Sequence, residues 1–275
     1  MQYAPTSPKY QSINMLRQIK SFFKIFTQKP YIPDKQKANE LVTTILNRRS
    51  CRSFTDGDIN DEDFSLILEA GRFAPSAANM QTWSFITFTR NEWREVFDRP
   101  IPFNGARAIV ICADTHRNKQ LLPEFSHTPL ISTTFSIFNA GLAAMNMNIT
   151  AECLGIKSIM LSDTGLTGLL DFSFLKEHLE LPGGVIPVTT LVLGISRDSS
   201  SISPPRLKKN AVVMSKCYQP CSREELGEWF DRMKIGFKFL YPFSDLSSKL
   251  TYYQEKMSEA EKEIKEVFFK EERNG

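Results

Sequence analysis

The fold class that the sequence predicts is a sandwich of helices and strands, α/β or α+β, around a sheet of mainly four strands. Two observations predict it. Helical and strand patterns alternate between residues 41 and 194, and one strand pattern is apolar enough to be buried on both faces. With 275 residues, 41% of them hydrophobic, the chain can bury a core of ordinary size in one large domain or two small ones.

The first half of this pattern begins with two helices. Leu41–Asn47 reads as a helix that ends at the following arginine pair, and Asn60 is expected to cap a second helix. The acidic residues 61–63 fall in the first turn of that helix, where negative charge suits the helix dipole. Residues 74–79 (APSAAN) then break the helical pattern as a loop, and residues 83–90 (WSFITFTR) have the composition of a strand.

Three further strands and a long helix follow. Residues 106–113 (ARAIVICA) predict a strand buried on both faces, and residues 157–161 and 189–194 predict two more strands. Residues 129–151 contain no charge and have the length of a membrane span, but they include eight Ser, Thr and Asn residues. We therefore expect a helix that is buried inside protein and ends at Gly155.

The two ends of the chain differ from this central region. Residues 1–40 hold seven Lys and Arg and two Asp and Glu, a charge of +5. Because the whole chain has a net charge of +3, the remaining residues sum to −2. In this basic arm, Met15–Phe26 has a short amphipathic pattern, which fits a helix for a membrane surface or a partner. We favour a helix packed on its own body or dimer mate, because the segment is short.

Near the other end, apolar residues at three- and four-residue steps over 250–267 predict a long amphipathic helix. The predicted regions are the arm 1–40, a central domain 41–220 and a helical extension 221–275.

Composition excludes several classes of protein. The net charge of +3 is too small to indicate nucleic-acid binding. Five scattered cysteines argue against a secreted disulfide framework, and residues 1–10 lack the apolar segment of a secretory signal. We therefore expect a cytoplasmic protein without a transmembrane segment. Cys217 and Cys221 have a CxxxC spacing without a second ligand pair, so free thiols are expected and no metal site is predicted.

Familiar catalytic motifs are missing as well. The sequence has no GxGxxG, GxxxxGK[ST], GxSxG or HExxH motif, and its three histidines show no metal-like spacing. A hydrolase triad needs a placed histidine, so hydrolases are disfavoured. No side chain is predicted to act as a catalytic nucleophile.

Three arginines form the first candidate site. Within residues 47–54 (NRRSCRSF), Arg48, Arg49 and Arg52 place three guanidinium groups within five residues, and Ser50 adds a hydroxyl donor. Such a concentration of positive charge is costly unless an anion neutralises it, and the planar guanidinium group suits phosphate. The alternative is a solvated basic end of a helix.

The second candidate site is the loop of residues 74–83 (APSAANMQTW). Pro75 and the small residues permit the backbone to approach a flat ligand closely, and Asn79 and Gln81 offer amides to the edge of a heterocycle. The alternative is a loop whose amides cap neighbouring backbone groups.

Two later segments offer further donors. The turn Ser162–Gly165 follows a predicted strand and can point backbone N–H groups at a ligand. The proline-stiffened loop 204–209 (PPRLKK) delivers Arg206, with Lys208 and Lys209 as additional candidates.

In this order and spacing, the four segments resemble the nitroreductase family, and the resemblance runs from about Leu41 to Tyr218. RRSCRSF is similar to the family's RRSxRxF opening, and APSAANMQTW is similar to its APSxxNxQPW loop. NAGLAAMNMNITAECLGI is similar to the central helix of the family's dimer core. LPGGVIPVTTLVLG, followed by PPRL, is similar to the flavin-reductase-like branch.

The resemblance implies an α+β sandwich with a central, mainly antiparallel sheet flanked by helices, in an intertwined homodimer with FMN at the subunit interface. It also implies NAD(P)H oxidation by ping-pong hydride transfer through flavin N5 to a nitroaromatic, quinone or similar small acceptor, with electrostatic support from Arg52. The extension 221–275 would wrap the partner subunit. The implied FMN contacts are Arg48, Arg49, Ser50, Arg52, Ser76, Ala77, Asn79, Gln81, Ser162, Asp163, Thr164, Gly165 and Arg206, with Ser76, Ala77 and Asn79 contributed by the other subunit.

The sequence departs from the family pattern at three places. The turn Ser162–Gly165 replaces a usual Gly-Gly turn, Thr82 replaces the proline before the tryptophan, and Pro204 replaces a basic residue. Asp163 would change the charge and access beneath the flavin. This keeps open an alternative, a flavin-binding or regulatory protein of the same fold with little or no turnover. A protein that anchors another phosphate-bearing ligand is a further alternative.

Overall fold

The fold is built on a four-stranded sheet. The computed structural model describes residues 29–122, 129–162, 167–197 and 203–270. The strands are β1 (Trp83–Thr89), β2 (Arg107–Asp114), β3 (Lys157–Leu161) and β4 (Val185–Gly194). Their order in the sheet is β1-β2-β4-β3, and every neighbouring pair is antiparallel. The predicted antiparallel α+β sheet is confirmed, with β4 beginning four residues before its predicted start.

Eight α-helices lie among the described residues. They are α1 (Glu40–Asn47), α2 (Asp61–Arg72), α3 (Arg90–Phe97), α4 (His116–Leu121), α5 (Pro129–Cys153), α6 (Phe172–His178), α7 (Arg223–Leu240) and α8 (Leu246–Lys270). The predicted cap of α2 is confirmed, because Asn60 Oδ1 accepts a hydrogen bond of 2.8 Å from the Asp63 N–H. Gly155, with φ +76°, follows α5 as predicted. The pattern at Met15–Phe26 lies outside the described residues.

The sheet separates two apolar clusters. On one face, Ile109 and Ile111 of β2 join the cluster that contains buried residues of α2 and α5. On the other face, Ala108 and Val110 join a cluster around α3. The alternation confirms that β2 is buried on both faces. In the second cluster, burial and then the nearby Asp114 charge raise the pKa of the Cys112 thiol to about 12, so this thiol stays protonated.

The central helix α5 is buried along only part of its length. Its second half packs into the core through Ala143, Met147 and Ala151, and the Gly71 position of α2 lies so close to the Met147 side chain that a Cβ there would overlap it. In its first half, four large apolar side chains are more than half exposed in the single chain. They are Leu130, Ile131, Phe135 and Phe138.

The chain divides into two compact units. One comprises residues 1–31 and 202–252, and the other comprises residues 32–201 and 253–275. The sheet belongs to the larger unit, as does the second half of α8, where Ala260 is buried and Glu263 Oε2 accepts a hydrogen bond from the Ser173 N–H. In the part of the chain that the structure describes, no helix is both long and apolar enough to cross a membrane.

Candidate functional site

The arginine segment, residues 47–54, extends the edge of the sheet. Its first residue, Asn47, is the last residue of α1, and the segment then runs beside β3, which is an edge strand. Ser50 forms a parallel bridge with Ser158, and the Cys51 N–H donates to the Ser158 carbonyl at 2.9 Å. Backbone pairing with the sheet therefore fixes the position from which the arginine side chains project.

Phe54 anchors the far end of the segment in the core. Its side chain is 1% exposed and packs over Gly194, where a Cβ would lie only 2.7 Å from the ring. The Thr55 N–H donates to the Ile195 carbonyl at 2.8 Å, and Arg197 Nε donates to the Phe54 carbonyl at 2.6 Å. The aromatic residue that closes the RRSCRSF motif is thus a structural anchor for the arginines before it.

The three arginines differ in their surroundings. Arg49 Nη1 donates to the carbonyls of Leu46 at 2.9 Å and Arg48 at 2.7 Å, so this side chain caps the end of α1. Arg48 and Arg52 form no ion pair with any carboxylate of the described residues. The Cys51 thiol faces its own chain, with Sγ 3.3 Å from both the Ser53 carbonyl oxygen and Ser196 Oγ, either of which can accept its one proton. Arg48 and Arg52 therefore present positive charge that no carboxylate of the described residues pairs.

The Asn79 loop, residues 74–83, has an unusual backbone. Ala78, Asn79 and Gln81 have φ values of +50°, +56° and +48°, in the left-handed region that L residues adopt at a cost. The Ser76 Oγ accepts a hydrogen bond of 3.0 Å from the Gln81 N–H, and the Ala77 N–H donates to Asn139 of α5 at 3.3 Å. These contacts hold the strained loop in one conformation, with the Asn79 and Gln81 side chains exposed.

Side chains that the sequence analysis did not single out fix the two ends of this loop. Asn139 Nδ2 donates to the Thr82 hydroxyl at 2.9 Å. Asp114, which is buried, accepts from Ser84 Oγ and from Arg117 Nε, and Arg117 in turn donates to the Trp83 carbonyl. The Thr82 hydroxyl thus gains a buried hydrogen bond. An acidic residue directly after the apolar run of β2 was the available sequence signal for Asp114.

A cavity of about 140 Å³ lies between the Asn79 loop and the first half of α5. Ala77, Ala78 and Met80 form one wall, and Phe135 and Asn139 belong to the other. None of the residues that line it carries a charge. Its volume is close to the roughly 150 Å³ that accommodates a single benzene ring in an engineered protein cavity.

The turn after β3 is fixed at its base. Ser162 is exposed, and its carbonyl accepts a hydrogen bond of 3.3 Å from the Leu170 N–H. Gly168 packs so closely that a Cβ there would lie 2.6 Å from Ser162 Cα, and Thr190 Oγ1 donates to the Thr167 carbonyl at 2.6 Å. The other three predicted site residues of the turn, 163–165, lie outside the described residues.

The late arginine belongs to the smaller unit, in which it follows a buried proline. Arg206 is exposed, and the Pro205 carbonyl accepts a hydrogen bond of 3.2 Å from Trp229 Nε1 of α7. Lys208 lies 3.7 Å from carboxylate oxygens of both Glu225 and Glu228. The negative charge of α7 therefore offsets Lys208.

The order of these segments matches a known family. A family model described as the nitroreductase family matches residues 45–195, more than half of the chain. The chain belongs to the nitroreductase family. The matched residues include the arginine segment, the Asn79 loop and Ser162, whereas Arg206 lies beyond them.

Curated relatives and solved structures agree with this assignment. The chain is 30% identical over 191 residues to an FMN reductase (NADPH) of Bacillus subtilis (strain 168), covering 66% of this chain and 75% of that protein. It is 26% identical over 200 residues to an oxygen-insensitive NADPH nitroreductase of Salmonella typhimurium, covering 70% and 80%. A nitroreductase structure from B. subtilis aligns with a TM-score of 0.68 at 23% identity, covering 83% of this chain and 98% of that one, and so shares the fold.

The two motifs of this nitroreductase lie at opposite edges of the sheet. The arginine segment pairs with β3, and the Asn79 loop leads into β1. Helix α5 contacts both regions: Asn139 bonds to Ala77 and Thr82, and Asn148 Oδ1 accepts from Ser158 Oγ at 3.3 Å. Nine residues of α-helix separate Asn139 from Asn148, which corresponds to about 14 Å. One chain therefore presents the two motifs well apart.

Proposed function

We propose that this nitroreductase is an FMN-dependent NAD(P)H oxidoreductase that reduces a nitroaromatic, quinone or similar small acceptor. Its curated relatives carry the names FMN reductase (NADPH) and NADPH nitroreductase. Bound FMN would accept hydride from NAD(P)H at N5 and pass it to the acceptor, in a ping-pong cycle that requires no covalent bond to the protein. The missing catalytic nucleophile in the sequence agrees with this chemistry.

The observation that carries the proposal is that Arg48 and Arg52 have no carboxylate partner among the described residues. Arg48 and Arg52 project from a backbone that the sheet edge and Phe54 fix, so little ordering is required when a phosphate binds. Guanidinium groups without a carboxylate partner fit the phosphate of FMN. Arg52 would place positive charge near the N1–C2=O edge of the flavin and stabilise negative charge there.

The proposed contacts to the flavin ring come from the Asn79 loop. Ala77 carries only a methyl group and permits close approach of the backbone, while Asn79 and Gln81 present exposed amides. The proposed FMN-binding residues are Arg48, Arg49, Ser50, Arg52, Ser76, Ala77, Asn79, Gln81, Ser162, Asp163, Thr164, Gly165 and Arg206.

The proposed assembly is a homodimer with FMN at the subunit interface. Four exposed apolar side chains on the first half of α5, Leu130, Ile131, Phe135 and Phe138, form a face that water disfavours and a second copy would cover. The separation of the arginine segment from the Asn79 loop supports the same arrangement, because the loop of one subunit would then serve the arginines of the other.

The proposed regions of the chain are a basic arm (1–40), an FMN-binding domain (41–220) and a helical extension (221–275) that wraps the partner subunit. We also propose a cytoplasmic location. All five cysteines are free, which suits a reducing compartment.

The visible spectrum of the purified protein tests FMN binding. We expect a yellow protein whose flavin absorbance is bleached by NADPH and recovers on addition of a quinone. A colourless protein that does not respond to added FMN contradicts the proposal. A melting temperature that FMN leaves unchanged would instead favour a phosphate-bearing ligand other than flavin.

A second candidate function is a flavin-binding or regulatory protein with little turnover, which Asp163 in the altered turn favours. Steady-state NAD(P)H oxidation with a quinone or nitro compound separates the two, because a pure binding protein shows no oxidation.

Arg206→Ala is expected to weaken FMN retention, and Lys208→Ala serves as its control, since Lys208 is already paired with α7 carboxylates.

A further inference from the structure

The residues that follow β4 pair with the second half of the arginine segment. Phe54 and Ser196 form an antiparallel bridge, and the Arg197 N–H donates to the Ser53 carbonyl at 3.1 Å. The arginine segment is thus paired first with β3 and then with the continuation of β4. Its backbone near Arg52 therefore depends on residues that come some 140 positions later in the sequence.

The Arg197 side chain adds a second hold on the same stretch of backbone. Its Nε donates to the Phe54 carbonyl at 2.6 Å, and its Nη2 lies 3.6 Å from Asp56 Oδ1. Asn104 Nδ2 in turn donates to Asp56 Oδ1 at 2.8 Å, which fixes that carboxylate. Because Phe54 lies two positions after Arg52, the Arg197 guanidinium holds the backbone next to an arginine of the proposed phosphate site.

A second arginine holds the loop that follows Phe54. Arg90, the first residue of α3, donates from Nη2 to the carbonyls of Thr55 at 3.3 Å and Gly57 at 3.0 Å. Its Nη1 donates to the Asp56 carbonyl at 3.1 Å, and its Nε donates to the Gly105 carbonyl at 3.0 Å. A planar guanidinium presents its donors in fixed directions, so the three consecutive carbonyls are held in one arrangement.

We propose that Arg197 and Arg90 are positioning residues for the FMN phosphate, an inference that rests on the proposed function. Together their guanidinium groups engage the carbonyls of four consecutive residues, 54–57. Charge-assisted hydrogen bonds to phosphate require the donors at a fixed distance and angle, and carbonyl oxygens repel an anion. The two arginines meet both requirements: they fix the backbone that carries Arg52, and they keep the carbonyl oxygens occupied.

Two ligands that differ only in the phosphate, FMN and riboflavin, test this inference. Fluorescence titration of the apoprotein in about 0.15 M salt measures both dissociation constants. The unchanged protein is expected to prefer FMN by at least about 100-fold. Arg197→Gln and Arg90→Gln should each weaken FMN binding about tenfold and leave riboflavin binding unchanged. A merely structural role would move the two constants together, so the preference for FMN is the informative quantity.

Arg107→Gln is the matched control. The Arg107 side chain is only 13% exposed and pairs with Asp58 at 3.1 Å and Asp61 at 3.0 Å, at the start of α2. This variant removes the same charge and should lower the melting temperature, while the preference for FMN stays unchanged. Arg90→Lys keeps the charge but replaces the planar fork by a single ammonium group, so it should still lose about fivefold of the preference.

The possible failures are distinguishable. An unchanged preference in either glutamine variant overturns the inference for that arginine. An equal loss in Arg107→Gln, or a full preference in Arg90→Lys, also overturns it, because the effect would then follow from charge and not from position. If the unchanged protein binds neither FMN nor riboflavin, the proposed function itself is wrong.

Discussion

The arginine segment and the Asn79 loop are both anchored in the larger unit, but by different kinds of contact. The arginine segment has no residue with positive φ and is fixed by the edge of β3 and by Phe54 in the core. Its unfavourable energy lies in the positive charge of Arg48 and Arg52, which no carboxylate of the described residues pairs. The Asn79 loop carries no charge, and its unfavourable energy lies in three left-handed residues, which side chains from α5 and α4 hold in place.

This difference predicts that the arginine segment governs how tightly a ligand binds, whereas the loop governs which ligand shape fits. Concentrated charge at a fixed position favours a phosphate whatever the rest of the ligand is, because the electrostatic attraction needs no particular outline. A strained loop of small residues favours one outline, because its backbone has been fixed before the ligand arrives. We therefore expect changes in the arginine segment to alter ligand affinity, and changes in the loop to alter stability and affinity in different directions.

The largest effect is expected from removing the anchor of the arginine segment. Phe54→Ala leaves a cavity in the core and should lower the free energy of unfolding by about 3–5 kcal/mol. Urea unfolding of the apoprotein measures this. Phe73→Ala is the control, since Phe73 is 69% exposed and should cost less than about 1 kcal/mol. Similar stabilities for the two variants would show that Phe54 is not an anchor.

A smaller effect is expected from removing charge without removing the anchor. Arg48→Ala should raise the dissociation constant of FMN by about 10- to 100-fold while leaving the unfolding midpoint nearly unchanged, because a charge-assisted hydrogen bond contributes about 1.5–3 kcal/mol. Fluorescence titration of the apoprotein with FMN measures the constant. Arg72→Ala, which removes an exposed arginine already paired with Glu69, should leave it unchanged. An equal loss in both variants would point to net charge alone.

The support that α5 gives to the Asn79 loop can be removed by replacing Asn139. Asn139→Ala leaves the Ala77 N–H and the buried Thr82 hydroxyl without their partners and should cost about 1–3 kcal/mol of stability. Hydrogen exchange at residues 77–82 should become faster. Asn146→Ala, on the same helix, removes a hydrogen bond to Ala70 instead and should leave exchange in the loop unaltered. Unaltered exchange in both variants would mean that α5 does not hold the loop.

The smallest effect distinguishes strain from binding within the loop. Asn79→Gly relieves a left-handed residue and should raise the free energy of unfolding by about 0.5–1 kcal/mol, while the loss of the amide weakens FMN binding. Ala78→Gly should give a similar gain in stability with FMN affinity retained. Thermal unfolding and FMN titration of both proteins measure the two quantities. A loss of stability in both variants would exclude strain at these positions.

Much of this organisation could be predicted locally. The β-branched run of residues 106–113 predicts a doubly buried strand, and Asn60 before three acidic residues predicts a capped helix, because both patterns act over a few neighbouring positions. The supports of the site were not predictable in this way. Asp114 and Asn139 bond to residues that lie 30 and 57 positions away in the sequence.

The sequence by itself determined the types of element and the family, and it predicts the arginine segment as a place for an anion, since residue chemistry and spacing are local properties. Only the tertiary structure decided that Arg49 caps α1 while Arg48 and Arg52 have no carboxylate partner among the described residues, because that depends on which carbonyls and carboxylates lie nearby in space. It likewise placed the arginines and the Asn79 loop at opposite edges of the sheet, since strand order is fixed by the pairing of distant segments.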